Sequence, residues 1–508
     1  MNCESNDMAR RRNEGSQLIL AIDQGTTATK AVLLDESLRF VGESSRELPQ
    51  HFPRPGWVEH DLADIYASVE GAIEALLGST GVAPSRIAAV GITNQRETTA
   101  LWEREGGRPV HPAIVWQDRR TATQCDELRQ RGLEPLFRER TGLLLDPYFS
   151  GTKLAWLLEH VEGARRAAEQ GALLFGTIDS YLAWRLSGGV AHVTDVSNAS
   201  RTLLLDLESC EWSPDLCEAL GVPVQVLPEI RANDEVFGHT RGAAPLPDGI
   251  PIASIVGDQQ AALFGQACFE EGEAKCTYGT GAFLIVNTRD RIVRSGQKLL
   301  ATAAWKLAGR PCYALEGSTF IAGAVVQWLR DGLGIIASSS EVEELARSVD
   351  GSDGVTLVPA LVGLGAPYWD PDARGIICGL TRGTTKAHIA RAALEGIAFQ
   401  IADLVHAVTE DLGRALPFLK VDGGAALNNL LMQFQADLLR VPIVRPKVTS
   451  TTALGTALLA GLTVGMFPSL PVIRRAWEEE RRFLPEMDED EVLERIEQWH
   501  HAVRRARL

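Results

Sequence analysis

"LILAIDQGTTATKAVLLD", residues 18 to 35, reads as two short apolar runs joined by turn formers. "LILAID" ends in Asp23, "QGTT" makes the turn and "KAVLLD" carries the chain back, a pattern that predicts a hairpin. The same grammar returns in "AKCTYGTGAFLIVNT" (274 to 288): strand, Gly/Thr turn, strand. A hairpin repeated once in each half predicts an internal duplication, one copy per domain. The length of 508 residues agrees, since chains of this size hold roughly two to four domains.

Around the hairpins, apolar runs alternate with helical spacing. "IAAVGIT" (87 to 93) reads as a strand, whereas "LADIYASVEGAIEALL" (62 to 77) and "LAWLLEHVEGARRAAE" (154 to 169) have helical periods. In the second half, "FIAGAVVQWLRDGL" (320 to 333) and "AHIARAALEGIAFQIADLVHAVTEDL" (387 to 412) predict helices. "LKVDGGAALNNLLMQFQADLL" (419 to 439) predicts strand, Gly turn, helix, and the stretch from 467 onward is helical in spacing. The class is α/β, with two lobes meeting across a cleft. The expected divisions are a polar, disordered leader over 1–17, a first domain over 18–266 and a second over 267–508.

Charge narrows the partners. Fifty basic residues against 66 acidic ones give a net charge of −16, which argues against nucleic-acid and anionic-membrane partners. Eight scattered cysteines without any C-x-x-C fit neither a zinc site nor a disulfide scaffold, and point to a reducing cytoplasm. No apolar run is expected to span a membrane. His500 and His501 are adjacent rather than at i, i+4 spacing, and read as surface residues.

The chemistry concentrates where polar residues interrupt apolar runs. In "GDQQAALFGQ" (257 to 266), Asp258, Gln259 and Gln260 break a stretch that otherwise reads as core. A buried, unpaired carboxylate is costly, so Asp258 either faces a cleft from a strand end or has a buried partner. In "DQGTTATK", small residues at a tight turn let backbone N–H groups converge on an anion. Thr26 and Thr27 add hydroxyls, Lys30 adds charge, and Asp23 is placed to hold magnesium through water. A turn that merely favours Gly and Thr would read the same. "TYGTGAF" offers a second cradle (Gly279, Thr280, Gly281), and "DGGAALNN" a third, where Asn428 stands near a helix start. A Walker-type P-loop is absent from the sequence. In "GITNQRETTALW", Arg96 and Glu97 pair a fork of donors with acceptors, a combination suited to neighbouring hydroxyls but equally to a surface ion pair. Trp116 in "AIVWQDRR" and Tyr148 in "DPYFSGTK" are candidate walls of a small pocket, or core.

Taken together, "DQGTT", "GITNQRETT", "WQDRR", "DPYFSGTK", "FGTIDSYLAWRL", "HVTDVSNASRT", "GDQQAALFGQ", "TYGTGAF", "GLGAPYWDPDARG", "GLTRGT" and "VDGGAALNNLLMQFQADLL" resemble the glycerol kinase branch of the FGGY carbohydrate kinases. The resemblance runs in order from about Leu18 to about Met466. It implies two ribonuclease-H-like, actin-type ATPase domains with the catalytic cleft between them, and phosphorylation of glycerol to sn-glycerol 3-phosphate by ATP with Mg2+. It also implies a cytoplasmic homodimer or homotetramer.

By matched motif, Arg96, Glu97, Trp116, Tyr148, Asp258, Gln259 and Phe283 would bind glycerol, with Asp258 as general base. Thr26, Thr27, Ala28, Lys30 and Thr280 would meet the nucleotide phosphates, and Gly323, Gln327, Gly424 and Asn428 the adenosine. Asp23 and Asp258 would hold Mg2+ through water. Family members often carry Ser where Ala28 stands and Arg where Lys30 stands; both changes keep the backbone donors. Some members bind fructose 1,6-bisphosphate through a Gly-rich, Arg-bearing loop, whereas "GAAPLPDG" (242 to 249) has no Arg, so that control is expected to be weak or absent. A pentulose or hexulose kinase would share the ATP motifs without the "NQRE", Trp and Tyr pattern. A non-catalytic actin-type ATP-binding protein would need neither Asp258 nor the Arg96–Glu97 pair.

Overall fold

The structure, a computed structural model, describes residues 17–508. The expected leader lies outside the described residues, apart from Gln17. Two mixed sheets organise the chain, and each follows the same plan.

The first sheet is built from Leu18–Gln24 (β1), Ala28–Asp35 (β2), Phe40–Glu47 (β3), Ile87–Asn94 (β4), Gly238–His239 (β5) and Pro251–Gly257 (β6), in the order β5-β6-β4-β1-β2-β3. β1 pairs antiparallel with β2 and β2 with β3, while β1–β4 and β4–β6 are parallel. The second sheet uses Ala274–Tyr278 (β7), Ala282–Arg289 (β8), Leu300–Leu307 (β9), Arg310–Thr319 (β10), Leu419–Asp422 (β11), Ile443–Pro446 (β12) and Glu479–Phe483 (β13), in the order β9-β10-β8-β7-β11-β12-β13. Here too the hairpin β7–β8 is antiparallel and the pairs β7–β11 and β11–β12 are parallel. A leading hairpin followed by parallel strands on its other side is the ribonuclease-H-like plan expected from the sequence, and it occurs twice.

Side chains alternate across each strand, so each sheet has two packed faces. In β1, Leu18, Leu20 and Ile22 point to one core while Ile19 and Ala21 point to another. The outer core of the first sheet is closed by Leu62–Thr80 (α1), whose Ala63 N–H is capped by the Asp61 side chain and whose end is a left-handed Gly81. The outer core of the second sheet is closed by Lys386–Leu412 (α4), Asn429–Leu439 (α5) and Glu489–Ala506 (α7).

Between the sheets lies a shared core. Asp258–Gly265 (α2) and Thr451–Thr463 (α6) pack there against Ile19, Ala21 and Ala253 of the first sheet and Ile285, Ala304 and Ala314 of the second. The two helices touch backbone to backbone. A Cβ on Gly455 would lie 1.8 Å from the Ala261 carbonyl oxygen, and one on Gly265 would lie 2.1 Å from that of Thr451. Only glycine permits so close an approach. A helix late in the chain thus lies against the first sheet, alongside the helix that begins at Asp258.

Several sequence expectations change in detail. The helix expected over 154–169 divides into Ser150–His160 and Ala164–Glu169, because Val161 is extended and Gly163 is left-handed. The segment beyond 467 contains helix Leu470–Ala476, strand β13 and α7 rather than helix throughout. His500 is not a plain surface residue: it is half-buried, with Nε2 3.0 Å from Asp403 Oδ1. By length and composition α4 could cross a membrane, yet most of it is buried within the second half. The seven described cysteines are free.

Candidate active site

The parallel strands of each sheet end at the cleft, where loops collect functional groups in folds of this kind. β4 runs straight into Arg96 and Glu97, and β6 into Asp258, the first residue of α2. Both alternatives raised by Asp258 are realised together: its carboxylate has a buried partner on one side and keeps 28% exposure on the other. The partner is Arg96, with Nε 3.2 Å from Asp258 Oδ1 and a side chain only 2% exposed. Gly257 makes room for it, since a Cβ there would lie 2.8 Å from Arg96 Cδ.

Arg96 and Glu97 are not a surface pair. Their Nε–Oε1 separation is 3.9 Å, and each finds a closer partner elsewhere. Arg96 donates Nη2 to Glu316 Oε1 at 3.0 Å and Nη1 to Gln260 Oε1 at 3.2 Å, and forms a second ion pair with Glu316. Glu97 accepts Nε of Arg201 at 2.6 Å, and Arg201 Nη2 returns to Glu316 Oε1 at 2.9 Å. Glu97 sits at φ 60°, an unusual backbone for a non-glycine residue. The hydroxyls of Thr99 and Ser150 hold it there by donating to its carbonyl, each at 3.0 Å.

Electrostatics follow from this closure. Burial pushes the Asp258 carboxyl above its ordinary value, with Arg96, Lys275 and the Gln259 N–H pulling the other way. Burial also raises Glu97 against its two arginines. For Glu316 burial works upward, but Arg201 and Arg96 outweigh it and hold the carboxylate ionised. Lys275 adds a cation beside Asp258, donating to Gln259 Oε1 and, at 2.8 Å, to Thr277 Oγ1. Gln259 therefore meets Lys275.

Three aromatic residues cluster beside this network, the Arg201 guanidinium lying 5.6 Å from the Tyr148 ring centroid. Trp116 lies edge-on to Tyr148 (5.7 Å between centroids) and to Phe283 (6.3 Å). Phe283 comes from β8, so the second half contributes to this cluster. The polyol residues expected from sequence are thus brought together around one corner of the cleft.

The hairpin turn between β1 and β2 adjoins this corner, because Trp116 Nε1 donates to Thr26 Oγ1 at 2.8 Å. Thr27 is exposed, Ala28 begins β2, and Lys30 lies across from Asp23 with Nζ 3.3 Å from Ser450 Oγ. Asp23 is pushed up to about 7 by burial and by the nearby Asp258 charge, with Lys30 opposing.

On the second sheet, the turn Gly279–Gly281 meets the start of Gly323–Asp331 (α3): the Gly323 N–H donates to the Gly279 carbonyl at 2.9 Å. A Cβ on Gly323 would stand 2.7 Å from that oxygen. Gly423, at φ 87°, crosses within backbone contact of Tyr278, while a Cβ on Gly424 would meet open space. The Gly turn does not open directly into a helix. A single 3-10 turn, Gly424–Leu427, intervenes, and Asn428 caps α5 by accepting from the Leu431 N–H at 2.9 Å. That leaves its amide nitrogen for other partners. Thr280 and Gln327 are exposed.

Sequence reasoning missed Arg201, Glu316 and Lys275. Glu316 in "YALEGSTF" and Lys275 in "EAKCTY" interrupt apolar strands just as Asp258 does, and that signal would have found them.

Twin sheets facing across a cleft, with a half-open carboxylate clamped by a buried arginine and Gly-rich turns at the neighbouring strand ends, define a two-domain α/β carbohydrate kinase. Residues 18–265 match the N-terminal domain of the FGGY family of carbohydrate kinases, and residues 274–464 match its C-terminal domain. The chain belongs to the FGGY family of carbohydrate kinases. It is 58% identical to a glycerol kinase of Myxococcus xanthus over 493 residues, covering 97% of this chain and 99% of the relative. It is also 57% identical to a glycerol kinase of Deinococcus radiodurans, covering 97% and 98%. A crystal structure of Plasmodium falciparum glycerol kinase with ADP superposes with a TM-score of 0.89 at 38% identity, covering 97% and 99% of the two chains. A ligand-bound xylulose kinase from Lactobacillus acidophilus shares the fold at 23% identity, TM-score 0.83, with coverage of 96% and 97%.

Proposed function

We propose that this chain transfers the γ-phosphoryl group of ATP to glycerol, giving sn-glycerol 3-phosphate and ADP. One observation carries the reading: Asp258, 28% exposed, lies 3.2 Å from the buried Arg96, in the same ion-pair network that sets Arg201 against Tyr148 of the Trp116–Tyr148–Phe283 cluster. The pocket so formed pairs charged groups for hydroxyls with apolar rings for carbons, as a triol requires. The full-length likeness to glycerol kinases supports the same substrate.

In the reaction, a terminal hydroxyl oxygen of glycerol attacks the γ-phosphorus. The new O–P bond forms as the bond to the β–γ bridging oxygen breaks, and that electron pair leaves with ADP. The hydroxyl proton passes to the Asp258 carboxylate. Phosphoryl transfer asks chiefly for positioning and charge stabilisation. Arg96 and Glu97 fix the substrate, and the first hairpin (Thr26, Thr27, Ala28, Lys30), together with Thr280, takes the phosphates. Gly323, Gln327, Gly424 and Asn428 take the adenosine.

Mg2+ fits beside Asp23. Burial, and then the Asp258 charge, raise the Asp23 carboxyl, a state a cation would relieve. The ion would be held through water and phosphate oxygens. Bound there, it would neutralise charge on the phosphoryl group. The domain division at residue 266, which separates the two sheets, and a cytoplasmic homodimer or homotetramer complete the proposal; light scattering tests the assembly.

The test is ADP release with MgATP on glycerol, dihydroxyacetone, xylulose, ribulose and gluconate. Saturable turnover on glycerol is expected, reduced by about 100- to 10,000-fold in Asp258→Asn with glycerol binding kept. Turnover on a ketose but not glycerol would overturn the substrate, and near-normal turnover in the variant would remove Asp258 as base.

A further inference from the structure

Resting on the kinase reading above, we propose that Glu316 is a positioning residue for phosphoryl transfer: supplied by the second sheet, it holds the Arg96 guanidinium so that only Nε is turned to Asp258.

Glu316 lies on β10 and is fully buried. Arg96 gives it both terminal nitrogens, Nη1 to Oε2 at 2.5 Å and Nη2 to Oε1 at 3.0 Å. A two-pronged contact of this kind fixes the plane of a guanidinium as well as its place. With that edge taken, the remaining nitrogen faces Asp258 Oδ1 at 3.2 Å. Glu316 Oε1 also accepts from Arg201 Nη2 at 2.9 Å, and Arg201 Nε holds Glu97 at 2.6 Å. One carboxylate therefore sets both arginines that flank the polyol corner.

Arg96 is shared between Glu316 and Asp258, with Gln260 and Glu97 completing its surroundings. Without the Glu316 carboxylate the two terminal nitrogens lose their anchor, and among the described residues nothing else on the second sheet fixes the plane of the guanidinium against Asp258. Because β10 belongs to the second sheet whereas Arg96, Arg201 and Asp258 belong to the first half, the clamp closes only when the two halves are seated together. A buried ion pair that merely stabilised the fold would affect unfolding but not the placing of Arg96 against Asp258, and so not kcat.

The experiment compares wild type, Glu316→Gln and Glu316→Asp on glycerol with MgATP, reading kcat, both KM values and thermal unfolding. Glu316→Gln is expected to lower kcat by about tenfold or more and to leave the KM for ATP within about twofold, a split that a merely structural role would not produce. A Glu316→Gln enzyme with lower thermal stability but wild-type kcat overturns the proposal. Should Glu316→Gln fail to fold, Glu316→Asp carries the test: its carboxylate, drawn back by one methylene, is expected to lower kcat at unchanged KM for ATP, and unchanged kcat overturns the proposal. A wild-type enzyme silent on glycerol but active on a ketose fails the substrate reading instead. The same comparison then runs on that ketose, since the Glu316 side chain meets Arg96 and Arg201.

Discussion

Trp116 and Thr26 are joined by a hydrogen bond: the indole Nε1 donates to Oγ1 at 2.8 Å. The proposed polyol wall and the proposed phosphate hairpin are thus joined. Trp116→Phe keeps the ring and deletes the donor. A neutral hydrogen bond contributes about 1 kcal/mol, so KM for glycerol and KM for ATP are both expected to rise, by about fivefold or less. Steady-state kinetics with each substrate varied will show it; a change confined to glycerol would mean that the bond does not couple the two sites.

Gly455 packs against α2 so closely that a methyl group would stand 1.8 Å from the Ala261 carbonyl oxygen. The obstacle is backbone, which cannot rotate aside. Gly455→Ala should force the two helices apart, lowering stability by about 1–3 kcal/mol or more. Because α2 begins at Asp258, kcat is expected to fall as well. Urea unfolding together with kcat decides the matter, and a variant as stable and active as wild type would refute the packing.

Asp179 offers a pH test away from the reacting groups. Burial and then the Asp195 charge push its carboxyl from 3.8 up to about 7, against hydrogen bonds from Thr177 and Thr194; the Asn94 amide also faces it. A carboxyl that holds its proton more tightly when folded contributes stability at low pH. That contribution is complete below about 4 and is lost as pH rises towards about 7. Asp179→Asn removes it, so the variant's melting temperature should fall less over this window than that of wild type. Parallel slopes for the two proteins would contradict the assignment.

The loop Gly242–Gly249 is poorly made for an anion. It has no Arg, and the Gly242 N–H is already taken by the Asp248 carboxylate at 2.7 Å. A bisphosphate would meet negative charge where a donor is needed. Fructose 1,6-bisphosphate is therefore expected to leave the rate unchanged at micromolar concentration. Strong inhibition of the purified enzyme in that range would show the expectation to be wrong.

Much of the site was legible because its residues interrupt apolar runs, and such interruptions carry a free-energy cost that only a partner or a cleft offsets. Asp258, Arg96 and the Gly/Thr turns stood out for that reason. The helix over 154–169 misled because its apolar spacing continues across Gly163, where the backbone turns left-handed. The third Gly turn reads as opening directly into a helix, whereas a 3-10 turn comes first and Asn428 caps α5 behind it.

By itself the sequence determined the α/β class, the duplicated hairpin, and the identity and order of the polar clusters, because strand alternation and turn chemistry are local properties of the chain. It could not decide which charges would meet. Arg96 and Glu97 are neighbours in sequence yet 3.9 Å apart at their charged ends, while Arg96 reaches Glu316 across the interface between the two sheets. Ion pairing in a buried site is settled by which side chains the packing drives out of water together, and only the tertiary structure brings β10 against the ends of β4 and β6.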